Sequence, residues 1–387
     1  MNWSGSEARS IEAALALPRV PVRTSNKFDW LLAIMVGLLV FFGLVFVFNA
    51  STFVSNYHFG DGYRMFLKHV VSVVLGLVLM WICSRCPSDL LKHRAYWLFA
   101  ASIPLMAATL IPNLGVEVNG ARRWIPLGLF NLQPSEFVKI TYVIAVAAWL
   151  DHFSDRVRNP LYTILPVFFG LAVVAGVLLL QPDFGTTVLM AGIAVLMLSL
   201  GGVPFWQLFA PALALGGMAL ALVWTSPYRW NRVMAFLHPE DDPLGAGYHL
   251  LQALSAFGSG GTTGNGIGAS TSKSGYLPEP HTDFIFAVIG EEAGLLGASI
   301  VVVLFAVLAF RGFRIAHRHS EHFAQLLAAG LTLLIVLQAM INMAVVLGML
   351  PTKGIGLPFI SYGGSSIMAF LAITGLLLSL SRELREH

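Results

Sequence analysis

Ten apolar stretches, each close to the length that crosses a lipid bilayer, constrain this chain more than any other feature. A span needs about 20 mostly apolar residues, and the hydrocarbon core offers no water to the backbone, so each stretch must close its own hydrogen bonds as a helix. The stretches run over about 28–50, 66–83, 93–111, 135–151, 161–180, 185–200, 204–224, 284–310, 324–350 and 361–380. Between the fifth and seventh only Gln181-Pro182-Asp183 and Gly201-Gly202 are left for turns, so a merged count of eight or nine stays open. Hydrophobic residues make up 57% of the 387 and charged residues 11%, and the mean hydropathy is +0.76, which excludes a soluble domain. The predicted fold class is therefore an all-α integral membrane protein: ten transmembrane helices with one long extracytoplasmic loop, residues 225–283, between helices 7 and 8. Residues 1–27 and 381–387 read as cytoplasmic tails of a single membrane domain, 28–380. The first stretch is too long for a signal-peptide core and no small-residue cleavage pattern follows it, so it reads as a retained span.

Orientation follows from basic residues in the short loops. With a cytoplasmic amino terminus, that side collects fourteen: Arg9, Arg19, Arg23, Lys27, Arg85, Lys92, Arg94, Arg156, Arg158, Arg311, Arg314, Arg318, Arg382 and Arg385. The other side holds five, Arg64, Lys68, Arg122, Arg123 and Lys353. Both ends are thus expected in the cytoplasm and the long loop outside; Arg229, Arg232 and Lys273 are discounted because long loops translocate regardless of charge. Basic residues spread this way offer no nucleic-acid face. Cys83 and Cys86 form a CxxC with neither a second pair for zinc nor a βαβ setting, so they read as ordinary thiols on a reducing face.

Chemistry is expected where the apolar pattern breaks. The stretch Tyr276–Leu295, YLPEPHTDFIFAVIGEEAGL, sets Glu279, His281 and Asp283 where loop meets membrane, with Glu291 and Glu292 further along. A carboxylate there is expensive and needs a reason. Asp283 can accept a proton from a sugar hydroxyl, with partial desolvation raising its pKa toward working pH, or it can cap the following helix. Pro134 and Glu136 suit a helix start, and Glu136 and Lys139 share a face three residues apart. They read as a neutralising pair or, with Arg122 and Arg123, as a wall for an anionic headgroup. Asp183 reads as a helix cap or as a second carboxylate facing the site. Glycines 258, 260, 261, 264, 266 and 268 fit no Walker or dinucleotide pattern and read as a turned loop with weak pyrophosphate potential. His317, His319 and His322 read as a solvated loop.

In chain order, GARRWIPLG with QPSEFVK, QPDFGTT, GAGYHLLQALSAFGSGG, YLPEPHTDFIFAVIGEE and GLPFISYGGSS resemble the SEDS family (shape, elongation, division and sporulation), of the FtsW and RodA type. The resemblance covers about Phe28 to Leu380. GLPFISYGGSS and the aromatic in AFG place the chain nearer the division type, while GIGASTSKSGYLP departs from that type's commonest wording. The resemblance implies a ten-span peptidoglycan glycosyltransferase that polymerises lipid II and releases undecaprenyl pyrophosphate at the outer face of the cytoplasmic membrane during septal wall synthesis. It implies Asp283 as the catalytic carboxylate and Arg123, Glu136, Lys139 and Asp183 in the polar cavity; His281, paired with Asp283 by its place in the sequence, is a further substrate-binding candidate. A divalent cation, Mg²⁺ or Mn²⁺, is the one cofactor the leaving pyrophosphate invites. Expected partners are a class B penicillin-binding transpeptidase and other membrane proteins of the division complex, and no nucleic acid. A lipid II flippase, an elongation-type polymerase and a non-enzymatic scaffold are the alternatives.

Overall fold

Each of the ten apolar stretches is a helix in the computed structural model, which describes residues 28–384 except 119, 129, 246, 271–278 and 353. Residues 1–27 and 385–387, Lys273, Lys353 and most of GIGASTSKSGYLP lie outside the described residues. The helices are α1 (Trp30–Phe59), α2 (Arg64–Cys83), α3 (Ser88–Ala107), α4 (Pro134–His152), α5 (Ile164–Leu180), α6 (Phe184–Leu200), α7 (Phe205–Trp224), α8 (Pro227–Leu237), α9 (Tyr248–Ser259), α10 (Ile285–Arg318), α11 (His322–Val346) and α12 (Gly364–Arg382). Only α8 and α9 fall inside the long polar break.

Local chemistry sets the boundaries. Asp29 caps α1 by accepting from the Leu32 amide at 3.0 Å, and Gly60 ends that helix in the left-handed region at φ 68°, where a missing Cβ removes the steric cost. Pro134 opens α4, where its lack of an N–H costs nothing. Among the described residues, α1, α2, α7, α10, α11 and α12 are long and apolar enough to cross a membrane unaided. The other four helices expected as spans fall short of that measure for identifiable reasons. Helices α5 and α6 have 17 residues each, α3 carries Asp89, Lys92 and Arg94, and α4 carries Glu136, Lys139 and Asp151.

Helix α12 is the hub. It packs most extensively on α2 and also meets α1, α4, α10 and α11, and its apolar residues from Ile367 to Leu380 are buried. Gly43 lets α1 approach the backbone of Phe359 and Ile360, just ahead of α12; a Cβ there would sit 2.9 Å from the Ile360 Cα. By contrast α7 packs mainly on α6 and α8 and leaves Phe205, Trp206, Phe209, Leu213, Leu220 and Trp224 exposed, as a lipid-facing helix would.

Two features depart from the all-α expectation. Residues 116–132 form a three-stranded antiparallel sheet, β1 (Val116–Val118), β2 (Ala121–Pro126) and β3 (Asn131–Leu132). Glu117 lies opposite Arg122 and the two side chains pair at 3.1 Å, so Arg122 is committed within the sheet. Second, α10 opens at Gly294, whose φ of 66° and ψ of −164° break the helical path. Into the gap runs the glycine loop. Asn265 and Gly266 donate to the Glu291 and Glu292 carbonyls at 3.0 Å each, and Leu295 and Leu296 donate to Gly261 and Thr262 at 2.9 and 3.1 Å. The amides of Asn265 and Gly266 are thus spent on α10, and that of Gly264 on the Gly260 carbonyl at 2.8 Å.

At the opposite end, Arg311 binds Asp29 at 2.6 Å, and Lys92 binds Asp151 at 2.7 Å. His319 is buried with Glu383 at 3.9 Å, which corrects the solvated reading for that residue. His322 lies 3.5 Å from Asp151. Cys83 and Cys86 are free thiols, and burial followed by the Glu383 charge pushes Cys86 upward in pKa.

Candidate active site at the mouth of the bundle

Five segments converge at one end of the bundle: β2, the amino-terminal turns of α4 and α6, residues 279–284 ahead of α10, and residues 354–363 ahead of α12. Asp283 stands at their centre. The cap residue of α10 is Phe284, and no side chain caps that helix, so Asp283 is not doing the capping its position allowed. Its half-buried carboxylate accepts no hydrogen bond from any described residue, and its Oδ2 lies over Gly354, where a Cβ would meet it at 3.4 Å. Burial lifts its pKa from 3.8 to about 7, with Glu279 and Asp183 adding to the rise and Arg232 and Arg123 opposing it.

The backbone around Asp283 is fixed from several sides. Asn342 of α11 donates to the Asp283 carbonyl at 2.9 Å and to the Ile355 carbonyl at 2.8 Å. Ser361 donates to the Thr282 carbonyl at 2.6 Å and accepts from the Leu357 amide at 2.7 Å. Tyr362 donates its amide to the His281 carbonyl at 2.8 Å, and the two rings meet edge to face at 5.4 Å. His281 Nε2 is 3.8 Å from Glu279 Oε2. Glu279 and Phe359 hold left-handed φ values of 50° and 65°, a strain that persists only where surroundings over-determine the backbone.

The other expected residues take distinct places. Glu136 and Lys139 pair at 2.9 Å on the inner face of α4, with Lys139 only 2% exposed. Lys139 also donates to Gln338 Oε1 at 2.8 Å, and Gln338 donates on to the Gly356 carbonyl at 3.0 Å. Glu136 Oε2 is buried without a partner among the described residues. Arg123 donates through Nε and Nη2 to the Gln181 and Pro182 carbonyls at 2.9 and 2.6 Å, tying β2 to the turn before α6. Asp183 caps α6, accepting from the Thr186 amide at 3.1 Å and the Thr186 hydroxyl at 2.9 Å. Both of its oxygens are engaged, yet its charge still reaches Asp283.

Three contributors escaped sequence reasoning. Gln338 and Asn342 lie four apart on α11, one polar face in an apolar helix, and that spacing was a readable signal. Arg232 was set aside as a long-loop charge. It stands close enough to pull down the pKa of both groups, favouring the Asp283 carboxylate and the neutral His249 ring, and it donates to the Thr352 carbonyl at 3.4 Å. Among the described residues no three His, Cys, Asp or Glu side chains converge as a metal site.

The sequence matches the family described as "Cell cycle protein" (FTSW_RODA_SPOVE) over residues 29–386. It is 42% identical over 361 residues to "Probable peptidoglycan glycosyltransferase FtsW" of Thiomicrospira cyclica, covering 92% of each chain. It is 39% identical over 357 residues to the protein of that name from Coxiella burnetii, covering 92% of this chain and 96% of the other. Among solved structures it resembles a chain described under "Structural coordination of polymerization and crosslinking by a peptidoglycan synthase complex", with TM-score 0.76 and 32% identity over 92% of this chain and 98% of that one. The rod shape determining protein RodA of Thermus thermophilus gives TM-score 0.68 and 28% identity over 93% and 98%. A family match over nearly the whole length, relatives at about 40% identity and a shared fold agree, and the chain belongs to the FtsW/RodA/SpoVE family.

Proposed function

We propose that this chain is a peptidoglycan glycosyltransferase of the division type that polymerises lipid II by inverting glycosyl transfer. The observation that carries the reading is the carboxylate of Asp283. It is half-buried, has no hydrogen-bond donor among the described residues and is poised near pH 7 among arginines at the mouth of the bundle. A general base works best with a pKa near the operating pH. Asp283 takes the proton from the acceptor GlcNAc 4-hydroxyl, that oxygen attacks the donor's anomeric carbon, and undecaprenyl pyrophosphate departs from the opposite face. The leaving group's charge calls for preorganised cations; Arg123 and Arg232 supply them at the mouth and Lys139 deeper in. A Mg²⁺ or Mn²⁺ carried in by the pyrophosphate would meet Asp283 and Glu279 as its protein ligands and help to neutralise that charge.

The division assignment is supported by relatives named FtsW at about 40% identity, against 28% for RodA. Lipid II polymerisation by the purified protein, with and without a class B transpeptidase, tests the activity and the partner together. The resemblance to a chain of a complex that coordinates polymerisation and crosslinking supports that partner. Transbilayer movement of lipid II without glycan product would replace this reading with the flippase. The ten-span topology, with both termini cytoplasmic and 225–283 outside, predicts that a cysteine at Ser259 reacts with impermeant maleimide on intact cells. Labelling only after lysis would invert it.

A further inference from the structure

We propose that His69 and the amino-terminal turn of α12 form the subsite that holds the pyrophosphate of the lipid-linked donor; this rests on the polymerase reading above. His69 lies on the face of α2 that packs against α12. It is 1% exposed, and neither ring nitrogen has a hydrogen-bond partner among the described residues. A buried polar group left unsatisfied costs free energy that an apolar ring of the same shape would not. The imidazole lies 5.6 Å from the Tyr362 ring, which in turn touches His281 beside Asp283. One turn further along α2, Ser72 lies under Gly364, where a Cβ would be 3.0 Å from its hydroxyl.

Between those contacts begins α12, with the sequence Gly363-Gly364-Ser365-Ser366. No side chain caps it, and the amides of Gly364, Ser365 and Ser366 donate to no described residue. Gly363, Gly364 and Ser366 are partly exposed, so the turn opens onto accessible space. Free amides at the positive end of a 19-residue helix bind phosphate oxygens. The turn is also fixed to the rest of the site. Ser365 accepts from the Gln133 amide at 2.7 Å and donates to the Asn131 carbonyl at 2.9 Å. Two turns into α12, the Phe370 ring lies 5.4 Å from Lys139 Nζ. Two kinds of donor thus flank Tyr362, the imidazole on one side and the three backbone amides on the other, while the Lys139 ammonium lies further along α12 and already donates to Glu136 and Gln338.

The test is His69→Phe, which keeps a ring against Tyr362 and removes the polar atoms. Melting is read with farnesyl pyrophosphate and with farnesol as probes, and kinetics with lipid II. The expected result is a variant that melts no lower than wild type. It loses stabilisation by farnesyl pyrophosphate and shows a KM for lipid II raised about ten- to a hundredfold, the worth of a hydrogen bond to a charged group, with kcat changed less. Farnesol, lacking phosphate, should stabilise neither protein beyond its detergent-like effect. Wild-type binding and KM in a folded His69→Phe would overturn the subsite. So would failure of both His69→Phe and His69→Leu to fold, because the histidine would then be structural. If wild type binds farnesyl pyrophosphate through His69 but makes no glycan, the polymerase reading falls and the anion site stands.

Discussion

Asp283 and Glu136 are both carboxylates in apolar surroundings, yet they have been treated in opposite ways. Glu136 was given Lys139 at 2.9 Å and sits in a chain that runs through Gln338 to the backbone at Gly356. Asp283 has its backbone held by Asn342 and its carboxylate without a donor among the described residues, with Glu279 and Asp183 adding negative charge and Arg232 and Arg123 only partly offsetting it. A buried charge paired to an opposite one fixes structure, whereas an unpaired one keeps its proton affinity for use. The same rule sorts Asp183, whose oxygens are consumed by Thr186, with the structural group.

The sharpest break of that contrast is Asp283→Asn. We expect normal expression and a polymerisation rate lower by about 10²- to 10⁴-fold, the usual worth of a positioned base. In wild type, kcat/KM should climb as pH rises through about 7, where Asp283 ionises in the folded state. The stability effect has the opposite sense. Because folding raises this pKa from 3.8 to about 7, the folded state holds a proton that the unfolded state has lost between those values, so stability falls across that window. Above pH 7 the full penalty, up to about 4 kcal/mol, is in place. Asp283→Asn should therefore melt higher than wild type at pH 8, with a smaller gain at pH 5. A variant that retains substantial activity would remove Asp283 as base.

Next in size is the pair. Glu136→Ala and Lys139→Ala should each cost about 3–5 kcal/mol by stranding the partner's charge, while the double change recovers much of the loss. Melting temperatures of the three variants decide this, and additive losses would show that the two do not act as a unit. If Lys139→Ala stays folded and fully active, the ammonium has no part in the reaction. Smallest is Asp183→Ala, where loss of the α6 cap should cost about 0.5–2 kcal/mol and Asp183→Asn close to nothing, since asparagine caps as well. A large activity loss in a stable Asp183→Asn would move Asp183 across the comparison.

Most of the helical framework was legible because bilayer thickness forces long apolar runs, and Pro134 and Asp183 mark helix starts by chemistry alone. The small sheet was not: strands of three, six and two residues are too short to show alternation. Asp283, Glu136, Lys139 and Asp183 stood out as charges against an apolar background, but nothing local distinguishes a cap from a base. That difference depends on which donors arrive from other helices. Arg232 was illegible for the same reason, since its reach to the mouth depends on how α8 folds back. Gln338 and Asn342 were within reach, as amides four residues apart in α11.

The seam between the glycine loop and the opened turn of α10 has a consequence for how this protein can change. It is stitched through main-chain groups, Asn265 and Gly266 to residues 291 and 292, Leu295 and Leu296 back to 261 and 262. Its specification is therefore one of length and chirality more than of side-chain identity. Thr263 can be exchanged for other residues at little penalty. Deleting one residue between Gly260 and Gly266 puts every stitch out of step, and a side chain at Gly294 would collide with the Thr262 carbonyl at 2.6 Å. Drift here should appear as substitution without insertion, a rigid ruler set eight residues beyond the acid it helps to aim.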